Sequence, residues 1–385
     1  MEPTQPRKAR QWFLIAGTMG LLGLGLFVFV FWRDGGRPYQ PLTNPTFDGR
    51  SDALQQTAVV PTLDTPIPAN QSAVWCSSFQ LAWNRLKMAV GNEPIQLKNA
   101  EAIAARLNQA EQTESDLDAN DFYAAAGFVK DGIIQKIKTE MERKFPAAPN
   151  SLDDAPAQGA VAYGYLRAQA KFTTPFFDND EEFGFTDSSG RRVAVKSFGI
   201  RKKDDYAYAN LREQVQVLYC PEDVFWTAKD SGEFIVDPCK YSRPYQLILA
   251  SISRKPTLAE TIADVHKKMT EATPRESIKH LHPRDTLLIP DMHWRISHRF
   301  TELEGTDKQF QNPTLDGLYL DTAFQTIQFS LDRSGAELAS EAKVYVKPGA
   351  TYFHFNRPFL VMLKKRDARQ PFFVMWVDNA ELLEK

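Results

Sequence analysis

The spacing of apolar residues changes along the chain, from helical steps near residue 80 to strand-like runs after residue 160. Steps of three or four residues predict helices at 74–88, 98–108 and 120–145, although Gly127 and Gly132 weaken the third as a single helix. β-branched and aromatic runs predict strands at 161–172, 193–200, 215–219, 224–227 and 246–252. A capping box, Thr257 to Glu260, opens one more helix, and further strands are predicted at 286–296, 323–331, 343–346, 352–363 and 371–377. This order predicts an α+β fold with an N-terminal helical cluster and large, mostly antiparallel sheets.

The N-terminal apolar run differs from the rest of the chain in that it does not resemble part of a globular domain. Residues 12–32 contain no charged side chain, are long enough to cross a bilayer, and have a tryptophan at each end. Basic residues precede the run, which favours a cytoplasmic N-terminus. Because no small-residue cleavage site follows, we expect an uncleaved signal anchor, with a cleaved signal peptide as the alternative. The predicted order is a cytoplasmic tail (1–11), a transmembrane helix (12–32), a flexible linker (33–71) and an extracytoplasmic domain (72–385).

Composition narrows the function classes. The 385 residues carry a net charge of −2, with 43% hydrophobic and 24% charged residues, as in an ordinary globular protein. Such a charge gives no reason to expect a nucleic acid as partner. The sequence has no nucleophile elbow, zinc-protease, P-loop or dinucleotide motif, and its histidine pairs have no third ligand at metal-site spacing. We therefore expect no enzyme activity, no cofactor and no metal.

Two of the cysteines flank a segment that resembles a β-hairpin. Cys220 and Cys239 lie on either side of aromatic and β-branched residues and an Asp-Ser-Gly turn. In an oxidising compartment they would form a disulfide across the hairpin. The alternative is two buried free thiols.

Three C-terminal segments carry the most specific pattern in the chain. In order they are LDRSGAE at 331–337, FHFNRPFLVML at 353–363 and FFVMWVDN at 372–379. This series resembles the C-terminal end of the serpin family: a strand, a glycine turn into a mobile loop, an F-x-F-N-R-P-F strand and a closing strand. Residues 161–176 and 287–296 are also similar to serpin strands, so the resemblance covers about 72–385. The chain departs from the family at Gly164, where serpins have Asn, and at Gln325, where they have His.

The resemblance implies a function without catalysis by this chain. A serpin is a suicide inhibitor: a serine or cysteine protease cuts its loop, which then enters the main sheet and distorts the acyl-enzyme. By this resemblance the loop hinge is Gly335, Ala336, Glu337 and Leu338, and the scissile bond is Gly349–Ala350. Residues 336–346 alternate as an inserting strand requires. The same alternation fits a strand that never moves, so a non-inhibitory binding or scaffold protein with a fixed or shortened loop is the alternative.

One charge exchange also follows from the resemblance. Serpins pair a Lys after the LHLP strand with a Glu at the base of the loop, and this chain has Asp291 and Arg333 at those positions. We therefore predict an Asp291–Arg333 ion pair where the loop leaves the sheet. The alternative is two unrelated surface charges.

Overall fold

The computed structural model describes residues 45–146, 159–201, 209–221, 232–271, 280–333 and 351–385. The predicted membrane anchor, loop hinge and scissile bond lie outside these ranges. Within them, no helix has both the length and the apolar character needed to cross a bilayer.

The helices and strands of the described part of the chain are numbered in chain order. The helices are α1 (Ser77–Ala89), α2 (Glu101–Gln109), α3 (Ile133–Lys144), α4 (Ala209–Gln214) and α5 (Leu258–Glu271). The strands are β1 (Phe47–Arg50), β2 (Thr57–Val59), β3 (Ser72–Cys76), β4 (Phe122–Phe128), β5 (Ala160–Leu166), β6 (Phe177–Asp178), β7 (Phe183–Thr186), β8 (Arg192–Val195), β9 (Ser197–Ile200), β10 (Gln216–Tyr219), β11 (Phe234–Asp237), β12 (Tyr245–Ser251), β13 (Thr286–Pro290), β14 (Met292–Arg299), β15 (Phe324–Leu331), β16 (Tyr352–His354), β17 (Phe359–Lys365) and β18 (Pro371–Val377).

A seven-stranded sheet lies at the centre of the fold, in the order β10-β11-β12-β17-β18-β3-β2. All seven residues of β18 are buried, because both faces of this sheet are covered. One face contributes to the largest apolar cluster, and α5 covers the other with Leu258, Ile262 and Val265. The predicted F-x-F-N-R-P-F segment spans β16, which lies in another sheet, and β17, and the predicted closing strand is β18.

Two smaller sheets meet where β13 continues into β14. β13 belongs to a four-stranded sheet, β16-β13-β9-β6, and β14 belongs to a three-stranded sheet, β1-β14-β15. Pro290 ends the first strand and Met292 begins the second, so Asp291 lies at the joint between the two sheets. β14 and β15 pair antiparallel, from Met292 opposite Leu331 to Arg299 opposite Phe324.

The β4–β5 pair forms a separate layer between α1 and α3. Tyr163 and Tyr165 of β5 pack with Ile137 and Met141 of α3 in a small apolar cluster of their own. The other face of the pair contacts α1. Alternation along β5 therefore divides its side chains between two helices.

Three predictions are corrected by these coordinates. The linker predicted over 33–71 is wrong from β1 onward, because β1 pairs with β14 and β2 extends the seven-stranded sheet. The helix predicted over 120–145 is a strand, β4, followed by the shorter α3. The helix predicted over 74–88 begins only at Ser77, after strand β3. The α+β class with several, mostly antiparallel sheets is confirmed.

The predicted Cys220–Cys239 disulfide is also wrong. In the β10–β11 hairpin, Gln216 lies opposite Asp237 and Tyr219 lies opposite Ile235. The two cysteines are therefore at opposite ends of the hairpin, about 15 Å apart along the strands, too far for a disulfide. Both are buried and neither is in a disulfide, and burial raises the pKa of the Cys239 thiol.

Candidate functional site

The candidate site is the space between the edges of β5 and β15, which we call the slot. Within the described residues, β15 pairs only with β14, and β5 pairs only with β4. Among the described residues no ladder joins β5 to β15, so each strand has one edge that is not paired with the other strand. The loop predicted from the serpin resemblance follows β15 directly in the sequence.

Both strands come close to the same residue at the start of α1. Gly164 of β5 lies so near the carbonyl oxygen of Ser78 that a side chain would overlap it. Gln325 of β15 is buried, and its Nε2 donates to the Ser78 hydroxyl at 2.8 Å and to the Cys76 carbonyl at 3.0 Å. Two positions at which the chain departs from serpins thus meet at one helix end. Both strands therefore contact the beginning of α1.

The loop root, Asp332 and Arg333, lies at the far end of β15. The backbone carbonyl of Arg333 accepts a hydrogen bond of 3.2 Å from the amide of Phe176. The Arg333 side chain pairs with Asp178 of β6 at 2.7 Å, with both side chains about half exposed. These contacts tie the loop root to the segment that follows β5, at one end of the slot.

A histidine lies between two carboxylates beside the loop root. His293 of β14 contacts Glu384 through Nδ1 at 2.7 Å and Asp332 through Nε2 at 3.0 Å. We call His293, Asp332 and Glu384 the clasp. The hydrogen bond between His293 and Asp332 is the main reason that the pKa of His293 lies above the usual value.

Asp291 lies next to the clasp at the joint between the two sheets. The residue is 8% exposed, and most of the charged groups that act on its carboxylate are themselves carboxylates. Burial, together with the negative charges of Glu384, Asp178 and Asp332, raises the pKa of Asp291 to about 7, and His293 partly opposes this rise.

The described structure resumes at Thr351, whose backbone amide forms a hydrogen bond to a buried carboxylate. Asp285 accepts a hydrogen bond of 2.8 Å from the amide of Thr351 and another of 2.8 Å from the amide of His282. β16 then pairs parallel with β13, with Tyr352 opposite Thr286. The far end of the loop segment is therefore fixed to a different sheet from the loop root.

Comparisons with known proteins found matches among solved structures only. No protein-family profile and no curated protein matches the sequence. Solved structures do match: human thyroxine-binding globulin is 12% identical, covering 81% of this chain and 93% of its own, with a TM-score of 0.46. A serpin from the trematode Schistosoma haematobium is 13% identical, covering 81% and 94%, with a TM-score of 0.45. The mouse protein-Z dependent protease inhibitor is 14% identical, covering 80% and 91%, with a TM-score of 0.46.

The matched structures are serpins. The serpin resemblance predicted from the sequence is therefore confirmed, and at these identities it is a likeness of fold. The serpin strand before the loop corresponds by its motif to β15, and the strands after the loop correspond to β16, β17 and β18.

The predicted ion pair between Asp291 and Arg333 is wrong. Arg333 pairs with Asp178 instead, and Asp291 faces other carboxylates. The physical reason is burial: Asp291 is enclosed at the joint between two sheets, whereas the Arg333 side chain is 49% exposed and keeps its charge near water.

Several site residues escaped the sequence reasoning. Ser78 lies within the helix predicted at 74–88 but was assigned no role there, and Glu384 lies outside every motif. Asp178 and His293 carry no distinctive spacing either. These residues meet through tertiary contacts alone. Among the described residues, no group of His, Cys, Asp and Glu side chains is arranged to hold a metal ion.

Proposed function

We propose that this chain is a membrane-tethered serpin-like protein that faces the extracytoplasmic space and inhibits a serine or cysteine protease. Residues 12–32 would be the anchor, with the N-terminus in the cytoplasm. The observation that carries the proposal is the pair of edges on β5 and β15, both resting on the start of α1. In this proposal the protease supplies the chemistry, and the chain supplies the free energy of inserting one strand.

The slot suits the loop sequence. One added strand requires the neighbouring strands to lie about 10 Å apart, twice the usual spacing. On the inner face of β15, the residues that follow Gln325 are apolar and buried: Ile327, Phe329 and Leu331. The side chains on the outer face are exposed. An inserting strand must match this division. Residues 336–346 do so, since small or apolar side chains alternate with ones that, except for Ala339, are charged or polar.

Chain length explains why insertion would require cleavage. The loop root is near Met292 and Thr351 is near Thr286, about 20 Å apart along β13. Residues 334–350 reach at most about 60 Å when extended. A segment inserted beside the whole of β15 uses about 27 Å of chain. Returning from the far end of β15 to Thr351 requires about 47 Å more. The sum exceeds the reach, so complete insertion needs a broken chain or the release of β16.

A second function, a non-inhibitory binding or scaffold protein, is favoured by a different observation. The Phe176–Arg333 backbone hydrogen bond and the Arg333–Asp178 ion pair close one end of the slot. A loop that leaves β15 must pass this end to enter. If these contacts hold, the loop stays outside and the fold serves only to present a surface.

A protease panel distinguishes the two functions. The detergent-solubilised full chain is mixed with serine and cysteine proteases that prefer small or apolar residues. Inhibition predicts a covalent adduct stable in SDS, with a new N-terminus near Ala350. The matched control is Ser340→Arg, which places a long charged side chain on the predicted inward face and should convert the inhibitor into a substrate. Digestion of both proteins without any adduct would support the scaffold function instead.

A further inference from the structure

The clasp joins three parts of the fold that are distant in sequence. His293 comes from β14, Asp332 follows β15, and Glu384 belongs to the C-terminal segment. The amide of Glu384 donates to the Asp291 carbonyl at 2.9 Å, and its carbonyl accepts from the amide of Lys196 at 2.9 Å. Glu384 is therefore fixed by its backbone. Of the three side chains, only Asp332 belongs to the loop root.

The two contacts of His293 require a charged ring. A carboxylate can only accept hydrogen bonds, and both ring nitrogens face carboxylate oxygens. Neutral imidazole has a single N–H, so it satisfies one carboxylate and presents a lone pair to the other. Loss of one proton therefore breaks one arm of the clasp.

The other charged groups at this point do not replace that proton. Lys196 lies 3.4 Å from Glu384 on an exposed side chain, and Arg333 is already paired with Asp178. Asp291 adds a buried carboxyl group that faces Glu384, Asp178 and Asp332. When Asp291 is ionised and His293 is neutral, four of the described carboxylates share this site, and the described cations Lys196 and Arg333 lie at its periphery.

We propose that His293, Asp332 and Glu384, together with the neighbouring Asp291, form a proton-dependent clasp that holds the loop root in mild acid and releases it as the pH rises. The proposal concerns the end of β15 and does not need the loop to insert. Where the chain does act as an inhibitor, the clasp sets the pH range in which the loop root can move.

The direction follows from the pKa shifts. Both groups have a folded pKa above the ordinary one, so their stabilising protonation is complete in acid and lost as the pH rises through the folded value. For Asp291 the loss runs from about pH 4 to about pH 7. For His293 it runs from about pH 6.5 upward. The loop root should therefore be held more firmly near pH 6 than near pH 8.

Amide hydrogen exchange of the full chain in detergent tests the clasp. Protection factors, which remove the intrinsic effect of pH on exchange, are compared at about pH 6 and about pH 8 for peptides covering residues 324–333. We expect protection at the C-terminal end of β15 to fall at least about tenfold between these values, since about one proton is lost. Equal protection at both pH values would overturn the proposal, whatever the protease panel shows.

Three variants separate the groups. Asp291→Asn cannot ionise and should reduce the loss of protection at high pH. His293→Gln has no charge and should show low protection at both pH values. The matched control is His298→Gln on the same strand, whose ring contacts the Ser51 hydroxyl at 2.6 Å instead of the clasp. If His298→Gln changes the pH dependence as much as the clasp variants do, the proposal is wrong.

Discussion

Gly164 is the residue at which β5 comes closest to α1. An added Cβ would overlap the Ser78 carbonyl, which belongs to the backbone and cannot rotate away. We therefore expect Gly164→Ala to destabilise the domain by about 1–3 kcal/mol, as for other overpacked sites. Urea or thermal unfolding measures the loss.

Gly127 in the neighbouring strand is the matched control for this substitution. A Cβ there would lie 3.3 Å from the flexible Ile133 side chain, which can give way. Gly127→Ala should therefore cost clearly less than Gly164→Ala. Equal losses would show that the close approach of β5 to Ser78 is not what requires glycine.

At the residue scale, the sequence predicted which positions are important better than it predicted which residues those positions contact. Gly164 and Gln325 were singled out as departures from the family, and both meet Ser78. Asp291 and Arg333 were also singled out, but opposite charge in a familiar pair of positions did not ensure contact. Burial of Asp291 and the nearby Asp178 determined the actual pairing, and neither is visible in the sequence.

Among the elements, α3 and the β4–β5 pair share an apolar cluster separate from the main core. Ile137 is fully buried there, between Tyr163 and Tyr165 and the rest of α3. Ile137→Ala should cost about 2–5 kcal/mol locally. Hydrogen exchange should show loss of protection in α3 and β5, while β17 and β18 of the seven-stranded sheet keep theirs.

The half-buried Ile134 on the same helix provides the comparison, since Ile134→Ala removes the same side chain from a more exposed position. It should have a much smaller effect on exchange. Uniform loss of protection across the seven-stranded sheet in the Ile137 variant would contradict the separation of the two clusters.

Elements with one strong period were predictable, and those with two competing periods were not. The alternation of β15 and the run of β18 were assigned correctly. Residues 120–145 were read as one helix because Phe122, Ala126 and Val129 continue the spacing of α3. In the structure, Phe122–Phe128 is a strand that pairs with β5. β1 was missed because parallel pairing with β14 depends on a partner far away in the chain.

For the whole molecule, the proposed anchor has a direct test. The full chain should remain in the membrane fraction after an alkaline wash, because residues 12–32 would span the bilayer. A variant with Leu21→Arg and Leu24→Arg should be released, since charges at the centre of a span are costly. Membrane retention of this variant would argue against residues 12–32 as the anchor.

The overall architecture was predictable mainly through the C-terminal motifs. Those motifs placed the strands on either side of the loop, and the structure puts them in three different sheets. The division of the remaining strands was not predictable, because sheet order depends on long-range pairing. The extra strands β1 and β2 and the slot between β5 and β15 are properties of the whole chain.

The most direct test of the central claim is the melting temperature before and after the loop is cut. A protease that cuts within residues 344–350 leaves the released strand free to enter the slot beside β15. We predict that the melting temperature of the cut chain rises by at least about 10 °C, because a completed sheet adds several kcal/mol of stability. An unchanged or lower melting temperature after complete cleavage would contradict the account.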